Sequence, residues 1–211
     1  MYVRDYMTKS PITINKKTPV FEALEIMKKY KIRQLPVVSE GKLVGMVTEK
    51  GLLTVSPSTA TSLSVFELNY LLSKMTVSES FVKNLQTVTP DSTLEAAALL
   101  MRENRVGSAP VVDKEDNLVG IITVIDIFDA LIKFSGYGKP GTRFVIEAED
   151  IVHLMDSATQ VVKEHGVPVQ GIICSVIDNE RARMVLKLGT IDTEPIVEDM
   201  KKRGLKVNFE N

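Results

Sequence analysis

Lys31-Ile32-Arg33-Gln34-Leu35-Pro36-Val37-Val38, followed after a polar turn by Leu43-Val44-Gly45-Met46-Val47-Thr48, returns later in the chain as Arg105-Val106-Gly107-Ser108-Ala109-Pro110-Val111-Val112 and Leu118-Val119-Gly120-Ile121-Ile122-Thr123. The offset is 74 residues before the turn and 75 after it, where Asp116-Asn117 adds one residue. Upstream, Thr18-Pro19-Val20-Phe21-Glu22-Ala23-Leu24 answers Ser92-Thr93-Leu94-Glu95-Ala96-Ala97-Ala98 at the same 74-residue offset. Self-similarity of this kind marks a repeat architecture.

Each copy reads as strand, helix, strand, strand, helix. A short strand is expected at Ile12 to Asn15 and at Gln86 to Thr89. The first helix should start with Thr18 at the N-cap and Pro19 at the first helical position, where its missing N–H costs nothing. In the second copy, Ser92 with Glu95 three residues on predicts a capping box. Val20, Leu24 and Met27, then Leu94, Ala98 and Met101, recur at helical spacing. Two apolar strands follow in each copy, Leu35 to Val38 and Leu43 to Val47, then Ala109 to Val112 and Leu118 to Ile122, turned by Gly41 and by Asp116-Asn117. A closing helix is clearest from Asp126 to Phe134, and Met27, Met46 and Met101 read as core. A unit of about 60 residues buries too little surface to stand alone, so the two copies should pack on each other. Between them, Val55 to Ser64 reads as a loop and Val65 to Leu72 resumes a helix-like pattern.

Composition agrees with a folded chain: 211 residues, 44% hydrophobic and 25% charged. Lys plus Arg is 26 against 27 Asp plus Glu, a net charge of −1. That balance argues against a nucleic-acid-coating protein, whose footprint is basic. No apolar run approaches the roughly 20 residues of a membrane helix. No signal-peptide pattern is read at the N-terminus. Cys174 is the sole cysteine, so the expectation is a reducing, cytoplasmic compartment without disulfides.

Leu35-Pro36-Val37-Val38, Ala109-Pro110-Val111-Val112-Asp113 and the ending Gly120-Ile121-Ile122-Thr123-Val124-Ile125-Asp126 resemble the CBS domain, named for cystathionine β-synthase, in tandem over residues 1 to about 135. The resemblance implies a regulatory module that binds AMP, ADP, ATP or S-adenosylmethionine between its repeats. It places Thr123 at a helix N-terminus, where hydroxyl and free N–H groups favour phosphate. Asp126 would offer a two-oxygen fork to the ribose hydroxyls. Ile122 belongs to the same ending, adenine would lie near Ile12 and Ile32, and Ser10 and Pro11 would line the cleft. Arg33 at its mouth could pair with a phosphate. From spacing alone, Thr123 and Asp126 also read as an ordinary helix cap, and Arg33 as a solvated charge. A second, weaker site would use Thr48, Lys50, Thr87, Val106, Gly107 and Ser108. There Gly51 stands where the first site has Asp126, which removes the ribose anchor at about 2–4 kcal/mol.

After Phe134, Ser135-Gly136-Tyr137-Gly138-Lys139-Pro140-Gly141 reads as a linker. Beyond it, a strand (Thr142 to Glu147), a helix (Asp150 to His165, stopped by Gly166), strands at Pro168 to Ile177 and Ala182 to Leu188, a helix (Thr193 to Arg203, stopped by Gly204) and a strand (Leu205 to Phe209) give the ferredoxin-like order βαββαβ. The expected fold class is therefore α+β (α/β): CBS repeat 1 over 1–60, a linker helix and CBS repeat 2 over 61–135, a Gly/Pro linker over 136–141, and an ACT-like domain over 142–211. After a CBS pair this last part is similar to an ACT domain, which implies amino-acid binding or pairing between subunits. Ala148-Glu149-Asp150 lacks the glycine of an amino-acid site and would repel a carboxylate, which favours a dimerisation or relay role. The whole order, with Ser56-Pro57-Ser58 through Ser62-Leu63-Ser64, Tyr70-Leu71-Leu72 and Lys139-Pro140-Gly141, resembles the acetoin-utilisation family of CBS proteins.

A catalytic reading finds no motif. Cys174 lies in an apolar run and reads as inert, while His153 and His165 read as surface residues without metal-ligand spacing. Glu147, Glu149, Asp150 and Asp156 read as exposed charges. The expectation is a non-enzyme with no catalytic residue, no metal and no required cofactor. It would be a homodimer with an adenosine nucleotide as regulatory ligand and a regulated protein as a further partner, engaging neither nucleic acid nor membrane. The alternative is a ligand-free interaction module.

Overall fold

The computed structural model describes residues 1–55, 64, 66–67, 70, 74–83, 85–178 and 181–209. The expected loop over 55–64, the helical pattern over 65–72 and the turn at 179–180 lie largely outside the described residues. Two compact units emerge, Met1–Ile127 and Phe128–Asn211.

In the first unit the repeat is a repeat of structure. Helix α1 (Val20–Tyr30), strands β2 (Gln34–Ser39) and β3 (Lys42–Thr48) and helix α2 (Glu49–Val55) are matched by α3 (Leu94–Asn104), β4 (Ser108–Val112), β5 (Leu118–Thr123) and α4 (Val124–Ser135). Each strand pair is antiparallel, and each shifts register at the equivalent step, between Val37 and Val38 and between Val111 and Val112. Both first helices end on a non-glycine residue in the left-handed region, Lys31 at φ 54 and Arg105 at φ 55. Met27, Met46 and Met101 are buried as expected. The buried stripe is Val20, Ala23, Met27 and Leu94, Ala97, Met101, so Leu24 and Ala98 sit at its half-buried margin.

Three local expectations are corrected. The helices start one residue later than expected, because the hydroxyls of Thr18 and Ser92 are taken by the N–H groups of Asn15 (3.2 Å) and Thr89 (3.0 Å) in the preceding turn. Pro19 and Thr93 are therefore the N-caps, Thr93 accepting from Ala96 N at 3.1 Å, and the Ser92–Glu95 box does not form. The strands expected at 12–15 and 86–89 reduce to single parallel bridges, Ile14 to Val37 and Val88 to Val111.

The two repeats are laced together by exchanged segments. Strand β1 (Thr8–Lys9) precedes repeat 1 yet pairs with β5 of repeat 2, Thr8 opposite Ile121 and Lys9 opposite Gly120. Just before it, Val3 N donates to Ser92 O (2.8 Å) and Leu94 N to Met1 O (3.1 Å). The equivalent residues 75–82 return the exchange to repeat 1: Val77 N donates to Thr18 O (3.0 Å), and Met46 and Val82 exchange backbone bonds of 3.0 and 2.8 Å. Val3 and Val77 are both fully buried. Glycine receives each segment. A Cβ on Gly45 would lie 1.9 Å from the Phe81 ring, and one on Gly120 2.6 Å from Met7 Sδ.

The second unit contains β6 (Thr142–Ala148), α5 (Ile151–His165), β7 (Val169–Asp178), β8 (Arg181–Leu188), α6 (Glu194–Lys202) and β9 (Lys206–Phe209). This is the expected βαββαβ order, in an antiparallel sheet ordered β7-β8-β6-β9. Its core joins Phe144, Ile146, Leu154, Leu186 and Met200 of the sheet and both helices. Asp150 caps α5 by accepting from His153 N (2.7 Å), and Gly166 ends that helix at φ 64. Of the expected linker 136–141 only the ends are packed: Gly136 is buried and a Cβ on Gly141 would lie 2.1 Å from Leu188 O, while residues 137–140 are exposed.

Candidate functional site

Strand β5 delivers Thr123 to the start of α4, and Val124 N, donating to Gly107 O (3.1 Å), ties that start to the head of β4. Thr123 and Asp126 then form a reciprocal cap. Asp126 N donates to Thr123 Oγ1 (3.3 Å), while Asp126 Oδ2 accepts from Thr123 N (2.7 Å) and Thr123 Oγ1 (2.8 Å). This is a capping box with aspartate in the usual Glu/Gln position. The helix-cap reading of this pair is what the structure shows: the cap holds a half-buried carboxylate in a single orientation.

The repeat-equivalent position keeps only half of this. Thr48 Oγ1 accepts from Gly51 N (3.0 Å), and Glu49 N donates to Arg33 O (2.9 Å) as Val124 does to Gly107. No carboxylate is present at residue 51. A Cβ there would approach Thr48 Oγ1 at 3.1 Å, so a side chain is nearly accommodated. Lys50 is exposed beside it.

These bonds regroup the sequence-predicted residues. Arg33 is attached to the start of α2, beside Thr48, and Gly107 to the start of α4, beside Thr123, the reverse of the sequence grouping. Ser10, at φ 49, does stay with the Asp126 repeat, since its N–H donates to Val119 O (3.4 Å). Pro11, Ile12 and Ile32 are half-buried, and Ile12 and Ile32 pack on the repeat-1 core. Thr87, Val106 and the Arg33 side chain are exposed. Ile122 is fully buried, so its side chain serves the core and leaves only backbone to a ligand. Ser108 is buried and donates to Gln34 Oε1 (2.7 Å), joining the two repeats at equivalent positions. Sequence reasoning passed over Gln34, although its 74-residue spacing from Ser108 was there to be read.

A model of the CBS domain matches residues 3–58 and 77–133. The chain belongs to the CBS-domain family. This CBS protein is 37% identical over 120 residues, 56% of its length, to the inosine-5′-monophosphate dehydrogenase of Aquifex aeolicus, of which the match spans only 22%. Among solved structures, each 30% identical, it resembles three CBS proteins. The CBS domain pair of MJ0100 in complex with 5′-methylthioadenosine and S-adenosylmethionine has TM-score 0.51, covering 62% of this chain and 95% of that one. CBSX2 of Arabidopsis thaliana in complex with AMP has TM-score 0.52, covering 62% and 96%. AcuB of Vibrio cholerae has TM-score 0.53, covering 63% and 90%.

The second unit of this CBS protein offers little catalytic chemistry. Cys174 is half-buried in β7, and burial pushes its thiol pKa up, away from the thiolate that reacts. His165 is less exposed than expected and pairs with Asp199 Oδ2 (3.0 Å). His153 Nε2 meets Arg203 O (3.1 Å). Glu147, expected as an exposed charge, is half-buried and pairs with Arg183 (2.6 Å). Asp150, held below the usual carboxylate range by the His153 N–H it caps, places negative charge at the start of α5. Among the described residues no group of three or more His, Cys, Asp or Glu could hold a metal ion. None of the described helices is long and apolar enough to cross a membrane.

Proposed function

We propose that this CBS protein is a cytoplasmic, non-catalytic regulator. It binds one adenosine-containing ligand, AMP, ADP, ATP or S-adenosylmethionine, between its repeats, and passes the bound state to the ferredoxin-like unit or to a protein partner. The observation that carries the reading is the Asp126 carboxylate, whose orientation is held by Thr123. A carboxylate already fixed loses little entropy on accepting a ribose diol. The ligands present in the MJ0100 and CBSX2 structures support the adenosine class. Thr123, Asp126, Gly107 and Ser10 make the stronger site. The Thr48 site, with Arg33 and Lys50 but no carboxylate, makes the weaker one.

The second unit acts as an ACT-like dimerisation or relay module, and the protein as a homodimer. Helix α4 supports self-association, because Ile125, Phe128, Leu131 and Ile132 are 60, 56, 57 and 49% exposed along one helix. A concentration-independent monomer mass by light scattering would refute the dimer.

The ligand test is a thermal-shift panel with the four nucleotides on the wild type and Asp126→Asn. A ligand at 100 times its Kd stabilises by about 2.7 kcal/mol, a shift of roughly 5–11 °C for a chain this size. That shift should appear with at least one ligand and collapse in the variant, since losing the ribose contacts costs about 2–4 kcal/mol, or roughly 30- to 1000-fold in affinity. The comparison is made on the ligand-induced shift, because the variant also weakens the cap. The second reading, a ligand-free interaction module, is favoured by one fact: Asp126 Oδ2 is already satisfied by Thr123. Absence of a shift with all four ligands would decide for it.

A further inference from the structure

We infer that α4 carries the ligand state of the Thr123–Asp126 site to the edge strand β7, through a joint of backbone against backbone at Ser135–Gly136 and Gln170–Gly171. The inference rests on the proposal above that this site binds an adenosine ligand.

The first turn of α4 is the site itself, since Asp126 is its cap partner. Twelve residues later the helix ends at Gly136, whose N–H donates to Lys133 O (3.3 Å) at φ 65. That end belongs to the second unit and is pressed onto β7. A Cβ on Gly171 would lie 2.3 Å from the Ser135 carbonyl carbon, 2.4 Å from its oxygen and 2.6 Å from Gly136 N. A Cβ on Gly136 would lie 2.8 Å from Gln170 O. Most helix contacts are made by side chains, which absorb a small displacement by changing rotamer. At these two glycines backbone meets backbone, so a shift or stiffening of α4 reaches β7 there without a rotamer change to absorb it.

The receiving strand can respond. The β7–β8 ladder shifts register between Val169 and Gly171, leaving Gln170 outside the pairing with its Oε1 buried and without a hydrogen-bond partner. β7 is also an edge of its sheet, and Val169, Ile172 and Val176 on it are 48, 40 and 61% exposed. Order gained or lost at the Gln170 step therefore changes a surface that another chain can meet. β9, the opposite edge, pairs with β6 from Phe144–Phe209 to Glu147–Lys206 without a register shift.

The test is amide hydrogen exchange by mass spectrometry on the full chain, free and with saturating AMP or S-adenosylmethionine, with binding measured separately by calorimetry. Coupling of ordinary size slows exchange at least about fivefold. The expected result is that slowing over residues 169–176 with little change over 206–209. Asp129, exposed in the interior of α4, supplies the variants. Asp129→Gly softens the helix and should keep ligand affinity but lose the β7 response, whereas Asp129→Ala keeps the helix stiff and should keep both. If neither ligand binds, the functional proposal fails and takes this one with it. If a ligand binds and β7 does not respond, or if Asp129→Gly responds like wild type, the α4 relay alone is overturned.

Discussion

Replacing Gly45 by alanine tests the lacing of the two repeats. The added methyl would sit 1.9 and 2.5 Å from two carbons of the Phe81 ring and 2.8 Å from Val82 O, where ordinary contacts begin near 3.4 Å. The ring would have to retreat by about 1.5 Å. The neighbouring Met46–Val82 bridge, with bonds of 3.0 and 2.8 Å, holds the same segment and resists. Overpacking of this kind costs about 1–3 kcal/mol, and losing one backbone bond adds about 1 kcal/mol. A total near 2–4 kcal/mol corresponds to a fall in Tm of roughly 4–16 °C. Gly120→Ala is the internal control. There the nearest atom is the flexible Met7 Sδ at 2.6 Å, with Thr8 O at 3.1 Å, so the loss should be about half as large. The decisive assay is a double-mutant cycle by denaturant unfolding. If the clash with Phe81 is the cause, Gly45→Ala combined with Phe81→Ala should cost at least 1 kcal/mol less than the two single losses added together. Strict additivity would refute the reasoning, and so would a Gly45→Ala protein as stable as wild type.

Further outcomes are expected elsewhere. Gly51→Asp should complete the cap at the second site, because its Cβ meets Thr48 Oγ1 at 3.1 Å and Ser80 O only at 3.9 Å, and calorimetric stoichiometry should rise from one ligand per chain toward two. Gly141→Ala, whose Cβ would lie 2.1 Å from Leu188 O at a backbone φ of 126, should destabilise the second unit selectively, read as early loss of exchange protection in β6 and β8. Asp199 is held below the usual carboxylate range first by Lys202 and then by His165. A depressed folded-state pKa contributes stability at pH values above about 4, and that contribution fades as the pH falls through the folded value. Asp199→Asn should therefore be less stable than wild type at neutral pH and converge with it on acidification, and added salt should shrink the neutral-pH gap because the group is partly open to solvent. A gap that widens toward low pH would contradict this sign.

Much of the chemistry was legible before the structure because it is local. Thr123 and Asp126 lie three residues apart, so one helical turn brings them together whatever surrounds them. The missing carboxylate at Gly51 followed from the offset alone. The Thr18 and Ser92 caps were misread because a hydroxyl near a helix start has two N–H groups in reach, and here the preceding turn wins. That the Arg33 carbonyl meets the start of α2 and the Gly107 carbonyl the start of α4 could not be read in advance, because a contact between a strand start and a helix start follows no spacing rule.

The amino-acid sequence by itself determined the two repeats, the unequal Thr48 and Thr123 caps and the βαββαβ order, since periodicity and turn chemistry act over a few residues. Only the tertiary structure decided that residues 1–9 complete repeat 2 while 75–82 complete repeat 1. The physical reason is the repeat itself. Both copies offer the same kind of receiving strand, with a glycine at position 45 or 120, so an apolar segment carries no local mark of which copy it will join. The same holds for Gly136 and Gly171: glycine in a sequence reads as freedom, and here packing has turned it into contact.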